Sequence, residues 1–202
     1  MNWFQDGALF CSPDECFQFW DALNLHAARQ DLPIAINQNF CLENVGAPLA
    51  GAVYQSNGIE ALEYLRCVYP IATPFEIKVM HGRELTCITL IESQVLIQKD
   101  ASLRCLLNHY YQLLLVQLLR CASRNQIGIE LMTTPFSDRA DKAFEKGLGT
   151  ITVLTSDASR IVIESEQLYP QLLTYNQQYI NAYQAMLESL QAQLAKHNVE
   201  VR

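Results

Sequence analysis

The feature that most constrains this chain is a long leucine-rich segment in its middle. Between Leu103 and Leu119, apolar residues fall on nearly every side of a helix, and only a few polar residues interrupt them. A helix that is apolar around most of its circumference has to be surrounded by protein or by lipid. The interruptions, which include Arg104 and His109, exclude a membrane span. The segment from about Ala101 to Arg124 is therefore predicted to be a buried central helix.

Patterns on both sides of this segment predict the elements that pack around it. Ser12-Pro13-Asp14-Glu15 combines an N-cap, a proline at the first helical position and a glutamate at N3, so a helix is predicted to begin at Ser12. A second helix has apolar residues at helical spacing and is predicted to end near Pro70. Alternating residues over 75–79, a turn at 81–84 and a return over 85–91 predict a β-hairpin.

Weaker patterns predict the remaining elements. A mostly irregular segment precedes Ser56 and includes a short helix, and three strands and a polar helix follow the central helix. The predicted ranges are a short helix at Leu49–Tyr54, a strand at Val95–Gln98, strands at Ile127–Met132, Thr150–Leu154 and Arg160–Glu164 with the last two forming a pair, a polar helix at Ser137–Lys146, and a mostly helical stretch from Leu168 to about His197 that restarts after Pro170.

The order of these elements predicts an α+β fold. Strands that follow one another directly favour antiparallel pairing, whereas parallel strands need a crossover connection, usually a helix, between them. We therefore expect an antiparallel sheet of about four to six strands, packed with the long central buried helix and a C-terminal helix.

The charge balance is acidic. The chain has 14 Lys and Arg against 21 Asp and Glu, which gives a formal net charge of -7. Since Lys and Arg contacts to phosphate supply most non-specific DNA affinity, the chain by itself is predicted to bind DNA poorly. The first residues lack the basic start and apolar run of a signal peptide, and the seven cysteines form no Cys-x-x-Cys pair. We expect a cytoplasmic protein with reduced thiols and no membrane association.

Patterns typical of catalysis do not occur in the sequence. The four histidines stand far apart, at positions 26, 81, 109 and 197, so no pair has the helical spacing of a zinc site. Neither a Gly-x-Ser-x-Gly elbow nor a phosphate-binding loop is found, and Gly147-Leu148-Gly149 is too short for a dinucleotide fingerprint. We predict a protein that is not an enzyme and that binds no metal and no cofactor.

Three residues are candidates for contact with a small ligand. His109 lies among leucines on the central helix, where it is a satisfied core histidine, a polar contact in a pocket or a haem axial ligand. Tyr54 and Tyr64 carry aromatic rings with a polar end, in or near apolar segments. Such residues line small-molecule pockets, and they also lie at the edges of ordinary cores.

The last predicted helix carries a narrow apolar stripe. Its members are spaced three and four residues apart, as in a coiled coil, and polar residues separate them. The stripe either packs on the domain's own sheet or pairs with a helix of a partner, and we favour pairing in a homodimer. It consists of Ile180, Tyr183, Leu187, Leu190 and Leu194.

Several stretches together resemble the arabinose-binding-type N-terminal domain of AraC/XylS-family transcription regulators. Gly51–Ser56 followed by Ile59–Leu65 is similar to that domain's G-x-L-x-x-A-x-x-S-x-x-T-L-x-x-A-L passage. The resemblance covers roughly residues 12 to 190 and departs at Asn57-Gly58, where the family prefers Pro-Thr or similar. Three later stretches are similar in the same order: Ile129–Pro135, Phe144–Val153 and Leu168–Leu172.

The resemblance implies a bacterial regulator whose small-molecule effector controls DNA binding. Residues 1–173 would form the effector-binding α+β domain, and residues 174–202 a dimerisation helix or linker. The helix-turn-helix domain that the family carries after such a segment is expected to be missing here, and DNA would be bound only through it. The alternatives are a stand-alone dimeric interaction protein with no small-molecule ligand and a small enzyme, for which no catalytic set is visible.

Overall fold

The structure, a computed structural model, describes residues 13–27, 40–42, 45–124, 126–136, 144, 148 and 151–200. The elements in chain order are α1 (Pro13–Ala27), α2 (Ala47–Ala50) with the 3-10 turn Gly51–Tyr54, α3 (Gly58–Ala72), β1 (Phe75–His81), β2 (Leu85–Glu92), α4 (Gln94–Ile97), α5 (Ala101–Ser123), β3 (Leu131–Thr134), β4 (Thr152–Thr155), β5 (Ser159–Glu164) with the 3-10 turn Ser165–Leu168, and α6 (Gln177–Glu200).

The helix α5 is the buried centre of the fold, as its leucine-rich sequence predicts. It begins where the Asp100 carboxylate accepts a hydrogen bond from the Leu103 N–H at 3.0 Å, and it ends at Arg124, which is in the left-handed region with φ 51°. It contacts α1, α3, the Gly51–Tyr54 turn and β5. Its fully buried side chains include Leu103, Leu107, Leu113, Leu115 and Leu118.

The sheet confirms the α+β class and has five strands in the order β1-β2-β5-β3-β4. The first three pairings are antiparallel, but β3 and β4 are parallel. The predicted pairing of the strand at Thr150–Leu154 with the strand at Arg160–Glu164 is therefore wrong, because β3 lies between them. Met132 on β3 is fully buried, whereas β4 exposes most of its residues, which suits it to the edge of the sheet.

The short connection from β4 to β5 passes across the end of β3. The Ser156 N–H donates to the Thr134 carbonyl at 3.0 Å, and the Thr133 hydroxyl donates to the Ala158 carbonyl at 2.6 Å. These bonds satisfy polar backbone groups of the loop. The topology thus depends on polar contacts that the apolar pattern of the strands does not show.

Two predicted element boundaries differ from the structure because of local capping. The helix predicted to end near Pro70 continues to Ala72, since the fully buried Tyr69 holds its last turn in place and its carbonyl accepts the Thr73 N–H at 2.8 Å. The strand predicted at Val95–Gln98 is instead the short helix α4. Its N-cap is Ser93, whose hydroxyl accepts the Leu96 N–H at 3.3 Å.

The remaining predictions are met in part. The strand after α5 is Leu131–Thr134 rather than Ile127–Met132, and the last helix begins at Gln177 rather than near Leu168. The predicted polar helix at Ser137–Lys146 lies almost entirely outside the described residues. Among the helices that the structure describes, none is long and apolar enough to cross a membrane.

Candidate functional site

Four tyrosines meet where α6 packs on the domain, and they are called here the tyrosine cluster: Tyr54, Tyr64, Tyr179 and Tyr183. The Tyr54 ring centroid is 4.6 Å from that of Tyr179 and 5.8 Å from that of Tyr183, and the latter pair is stacked at 14°. The Tyr64 hydroxyl donates to the Pro48 carbonyl at 2.8 Å. Two of the three predicted ligand-binding residues thus share one site with two tyrosines of the last helix.

Gly51 makes this close packing feasible. A Cβ atom at this position would lie 2.6 Å from Tyr64 Cζ and 2.9 Å from Tyr183 Cγ, distances that real side chains do not tolerate. Its φ of -58° is ordinary, so the glycine is needed for space and not for backbone conformation. The rings of Tyr64 and Tyr183 therefore rest on bare backbone.

The phenols of the cluster are neutral hydrogen-bonding groups. Burial raises the pKa of Tyr64 well above its usual range, and the nearby Tyr183 and Cys67 add to the effect. Burial also raises the pKa of Tyr54, with further contributions from Tyr183 and Tyr179. Neither hydroxyl can act as a base near neutral pH, so the cluster offers rings and hydroxyl groups rather than charge.

The chain entering α6 is tied to the elements around the cluster. The Thr174 hydroxyl bonds to the Val53 carbonyl and, at 3.1 Å, to the Ala122 carbonyl at the end of α5. The Asn176 N–H donates to the Tyr54 carbonyl at 3.1 Å. The start of α6 is therefore held by both the Gly51–Tyr54 turn and the central helix. A displacement of the turn at the cluster would be transmitted to α6 through these bonds.

The third predicted ligand residue, His109, lies in a different part of the fold. Its Nε2 atom is 3.3 Å from the Thr134 hydroxyl, its Nδ1 atom is 3.8 Å from Cys105 Sγ, and the rings of Phe136 and Phe144 pack against it. Burial lowers the pKa of His109 to about 4 and raises the pKa of the Cys105 thiol to about 11. Both groups are neutral near pH 7, so they do not form the ion pair of a cysteine nucleophile.

The structure does not bring His109 and the tyrosine cluster together. Tyr54 interacts electrostatically with Cys121, which follows His109 by twelve positions on the same helix. At 1.5 Å per residue this is a separation of about 18 Å along the helix axis. One small ligand would not contact both, so the pocket expected to contain all three residues divides into two places.

Sequence reasoning missed Tyr179 as a partner of Tyr54. Tyr179 and Tyr183 are four residues apart and so share a helix face, which was the available signal. Tyr183 belongs to the apolar stripe, and Tyr179 falls outside the heptad spacing. What could not be read from the sequence is that the Gly51–Tyr54 turn lies beneath this face.

The apolar stripe of α6 faces its own domain in the single chain. Leu190 is 7% exposed, Leu187 packs against the core, and α6 contacts the segment Ala47–Tyr54. The other members, Ile180, Tyr183 and Leu194, are partly buried. A partner helix would contact only the part of this stripe that is exposed. The predicted role of the stripe in a dimer stays a prediction.

A few buried polar groups fix α5 against the sheet. The Gln112 amide donates to the Thr133 carbonyl at 2.9 Å, and the Ser159 hydroxyl bonds to the Asn108 side chain. The Gln112 Oε1 atom finds no donor among the described residues. Within the same part of the chain, no three His, Cys, Asp or Glu side chains are grouped so that they could hold a metal ion.

A groove of about 570 Å³ lies away from the tyrosine cluster, between α3 and the free edge of β1. Its lining is mixed in charge, since Glu63 and Arg66 form an exposed ion pair at 2.8 Å and Lys78 lies opposite them on β1. Ile77, Val79 and Pro70 contribute its apolar part.

The fold has a counterpart among solved structures. The chain is similar to the crystal structure of the transcriptional regulator CdpR from Pseudomonas aeruginosa, with a TM-score of 0.69 and 16% sequence identity. The match covers 86% of this chain and 55% of that protein, so the chain spans about half the length of the regulator. No protein-family model matches the chain, and no curated protein matches it. The similarity shows that this α+β fold occurs in a transcription regulator.

Proposed function

We propose that the chain is the ligand-sensing and dimerisation domain of a bacterial AraC-type transcription regulator. A small-molecule effector bound to it would control DNA binding by a helix-turn-helix domain of that regulator. The observation that carries the proposal is the shared fold with about half of the regulator CdpR, over 86% of this chain. The motif resemblance at Gly51–Ser56 and Ile59–Leu65 supports the AraC type in particular.

The charge of the chain is consistent with this division of labour. A net charge of -7 disfavours contact with phosphates, so DNA affinity would come from another domain. Helix-turn-helix proteins commonly read two half-sites at a spacing that their dimer sets. A domain that supplies dimerisation and responds to an effector would therefore control binding without touching DNA.

The tyrosine cluster is the proposed effector contact. Its rings can stack on a planar or ring-shaped ligand, and its neutral hydroxyls can bond to hydroxyl, carbonyl or carboxylate groups. Tyr54 and Tyr64 belong to the domain body, whereas Tyr179 and Tyr183 belong to α6. A ligand that prefers one arrangement of these two parts would shift the position of α6 and of anything joined to it.

The alternative, a stand-alone dimeric interaction protein without a ligand, has one observation in its favour. The rings of Tyr64 and Tyr183 pack directly on the backbone of Gly51, where not even one further methyl group fits. An enzymatic role has less support, because the buried His109–Cys105 pair is uncharged near neutral pH and so does not supply a thiolate nucleophile. We therefore propose a binding role rather than catalysis.

A fusion experiment tests the proposed function. The chain is joined in front of a monomeric helix-turn-helix domain that represses a two-half-site reporter only when it is dimerised. Effectors are first sought by thermal stabilisation of the chain with a panel of sugars, amino acids and small aromatic acids. We expect the fusion to repress, and a stabilising compound to change repression about fivefold or more, which corresponds to a coupling of about 1 kcal/mol.

The matched control is the fusion carrying Tyr54→Ala, which should still repress but lose the response to the compound. Repression no stronger than that by the helix-turn-helix domain alone would reject the dimerisation role. Repression without any stabilising compound would favour the ligand-free interaction protein.

A further inference from the structure

One edge of the sheet is formed by β1, which has a neighbouring strand on one side only. β1 pairs with β2 on one side, and the groove beside α3 lies on the other. An exposed edge strand of seven residues is a template for pairing with another strand, and proteins commonly protect such edges with a proline, a bulge or a covering element. In the described part of the chain, β1 has neither a proline nor a bulge, and the element that contacts it besides β2 is α3, which leaves a groove beside it.

The hydrogen-bond pattern of the hairpin shows which backbone groups face the open edge. The Gly82 N–H donates to the Leu85 carbonyl at 2.9 Å, and the Ser93 N–H donates to the Pro74 carbonyl at 3.0 Å. Hydrogen-bonded and non-bonded pairs alternate in an antiparallel ladder, so the even-numbered residues of β1 bond to β2. The outward-facing residues are Phe75, Ile77, Val79 and His81.

The outward groups of Phe75 are already satisfied. Its N–H donates to the Thr73 hydroxyl at 3.1 Å, and its carbonyl lies 3.2 Å from the same oxygen. For the outward backbone groups of Ile77, Val79 and His81, the described residues provide no partner. The free groups therefore form a run of three alternate residues with Val79 at its centre, and such a run is symmetric about its middle residue.

We infer that β1 pairs antiparallel with β1 of a second copy of this chain, about a two-fold axis at Val79. In this register Val79 bonds reciprocally to Val79 of the partner subunit, and Ile77 bonds reciprocally to His81 of the partner subunit. Every free group of both edges finds a partner. The two five-stranded sheets then form one continuous sheet across the dimer.

Neighbouring registers are less favourable. A two-fold axis at Ile77 would require the Phe75 groups that the Thr73 side chain already holds. A two-fold axis at Lys78 would place that lysine directly opposite its own copy, and like charges in this position are destabilising. With the axis at Val79, Lys78 lies opposite Met80 of the partner subunit.

Apolar side chains on the exposed face of the sheet beside β1 also favour the pairing, because a second copy would bury them. Met80 is 50% exposed, and Ile91 on the neighbouring strand is 43% exposed. The aliphatic stem of Lys78 can cover Met80 of the partner subunit while its ammonium group stays in water. The exposed ion pair of Arg66 with Glu63 lines the α3 side of the groove.

This inference rests on the proposed dimerisation but assigns it to a surface different from the α6 stripe. It does not involve the tyrosine cluster, so effector response in the fusion experiment can succeed or fail independently of it.

The test is the mass of the chain in solution for the variant Val79→Pro. Because the Val79 N–H faces outward, proline removes an edge donor without removing a β1–β2 hydrogen bond. Sedimentation at concentrations from about 1 to about 100 µM, which bracket typical weak-dimer affinities, should show a dimer for the natural chain. We expect Val79→Pro to raise the dimer Kd at least tenfold, and Val79→Ala, which keeps the N–H, to dimerise like the natural chain.

Amide hydrogen exchange on the natural chain gives a second measurement that needs no variant. The amides of Ile77, Val79 and His81 should become protected as the concentration rises, while that of Lys78 should be protected throughout. A chain that stays monomeric with these three amides unprotected would overturn the inference. A dimer that forms equally well with Val79→Pro would overturn it too, and would leave the proposed function standing with its interface elsewhere.

Discussion

Gly51 shows how one absent side chain positions a group of residues. It lies at the start of the 3-10 turn before Tyr54, and the rings of Tyr64 and Tyr183 close over it. Since its backbone angles are ordinary, a glycine at this position would not be expected from turn geometry. A glycine is required here because α6, which lies more than a hundred residues later in the sequence, packs directly on this position.

The substitution Gly51→Ala is expected to destabilise the chain by about 1–3 kcal/mol, because the new methyl group overpacks a filled contact. Thermal or urea unfolding would measure this, and limited proteolysis should show α6 cleaved earlier. Gly128→Ala is the matched control, since its Cβ would lie 3.5 Å from the nearest atom of Gln167, an ordinary contact. Equal stability of Gly51→Ala and the natural chain would mean that the tyrosine cluster is looser than described.

His109 is expected to make the stability of the chain depend on pH. Burial lowers its folded pKa from the usual 6.5 to about 4, so the unfolded chain binds the proton more strongly. The stabilising contribution is present above about pH 6.5 and is lost as the pH falls toward 4, by about 3 kcal/mol in total. The side chains that contact His109 carry no negative charge near neutral pH that would offset the effect of burial on its pKa. They are Cys105, Thr134, Phe136 and Phe144.

The measurement is urea unfolding at pH 7 and at pH 4.5 for the natural chain and for His109→Gln, which keeps a polar group that does not titrate. Acid weakens both chains through their carboxylates, so the difference between them isolates the histidine. The natural chain should lose about 2 kcal/mol more than the variant. Parallel losses would show that His109 is open to solvent or protonates without cost.

Elements with a strong local period were predictable, and those defined by distant partners were not. The helix α5 and the β1–β2 hairpin follow from the spacing of apolar residues and from a turn of a few residues. The place of β3 between β4 and β5 depends on loop hydrogen bonds of Thr133 and Thr134, which sequence periodicity does not encode. The same limit applies to the candidate site, where Tyr54 was identifiable but its contact with α6 was not.

The apolar stripe predicts the helix α6. It does not decide whether the stripe packs on its own domain or on a helix of a partner. Leu190→Ala distinguishes the two arrangements. Because Leu190 is 7% exposed within the single chain, we expect a loss of about 2–3 kcal/mol in the free energy of unfolding, the same at low and high protein concentration. If the stripe were a dimer seam, the loss would instead depend on concentration, since association adds to apparent stability.

Ala192→Ser, on the exposed side of α6, serves as the control for this variant and should change stability by less than about 0.5 kcal/mol. Unfolding followed at protein concentrations that differ a hundredfold gives the answer. A midpoint for Leu190→Ala that moves with concentration less than that of the natural chain would place Leu190 in an interface between copies.

At the scale of the whole molecule, the acidic charge is the property with the clearest functional consequence. The chain carries a formal charge of -7, and from Ile161 onward its only Lys and Arg residues are Lys196 and Arg202. The α6 end of the chain therefore offers almost no cationic surface to a phosphate backbone. Phosphate contact supplies most non-specific affinity and also positions a protein for reading bases, so both kinds of binding should be weak.

We therefore expect residues 1–202 to bind neither specific nor random duplex DNA. Fluorescence anisotropy of a labelled duplex in about 50 mM salt should stay unchanged up to about 10 µM protein, in a range where DNA-binding proteins already associate non-specifically. The fusion to a helix-turn-helix domain is the positive control in the same buffer and should bind its own operator. Sequence-selective binding by the chain alone, weakening as salt is raised to about 200 mM, would mean that this α+β domain itself contacts DNA and that the division of roles proposed here is wrong.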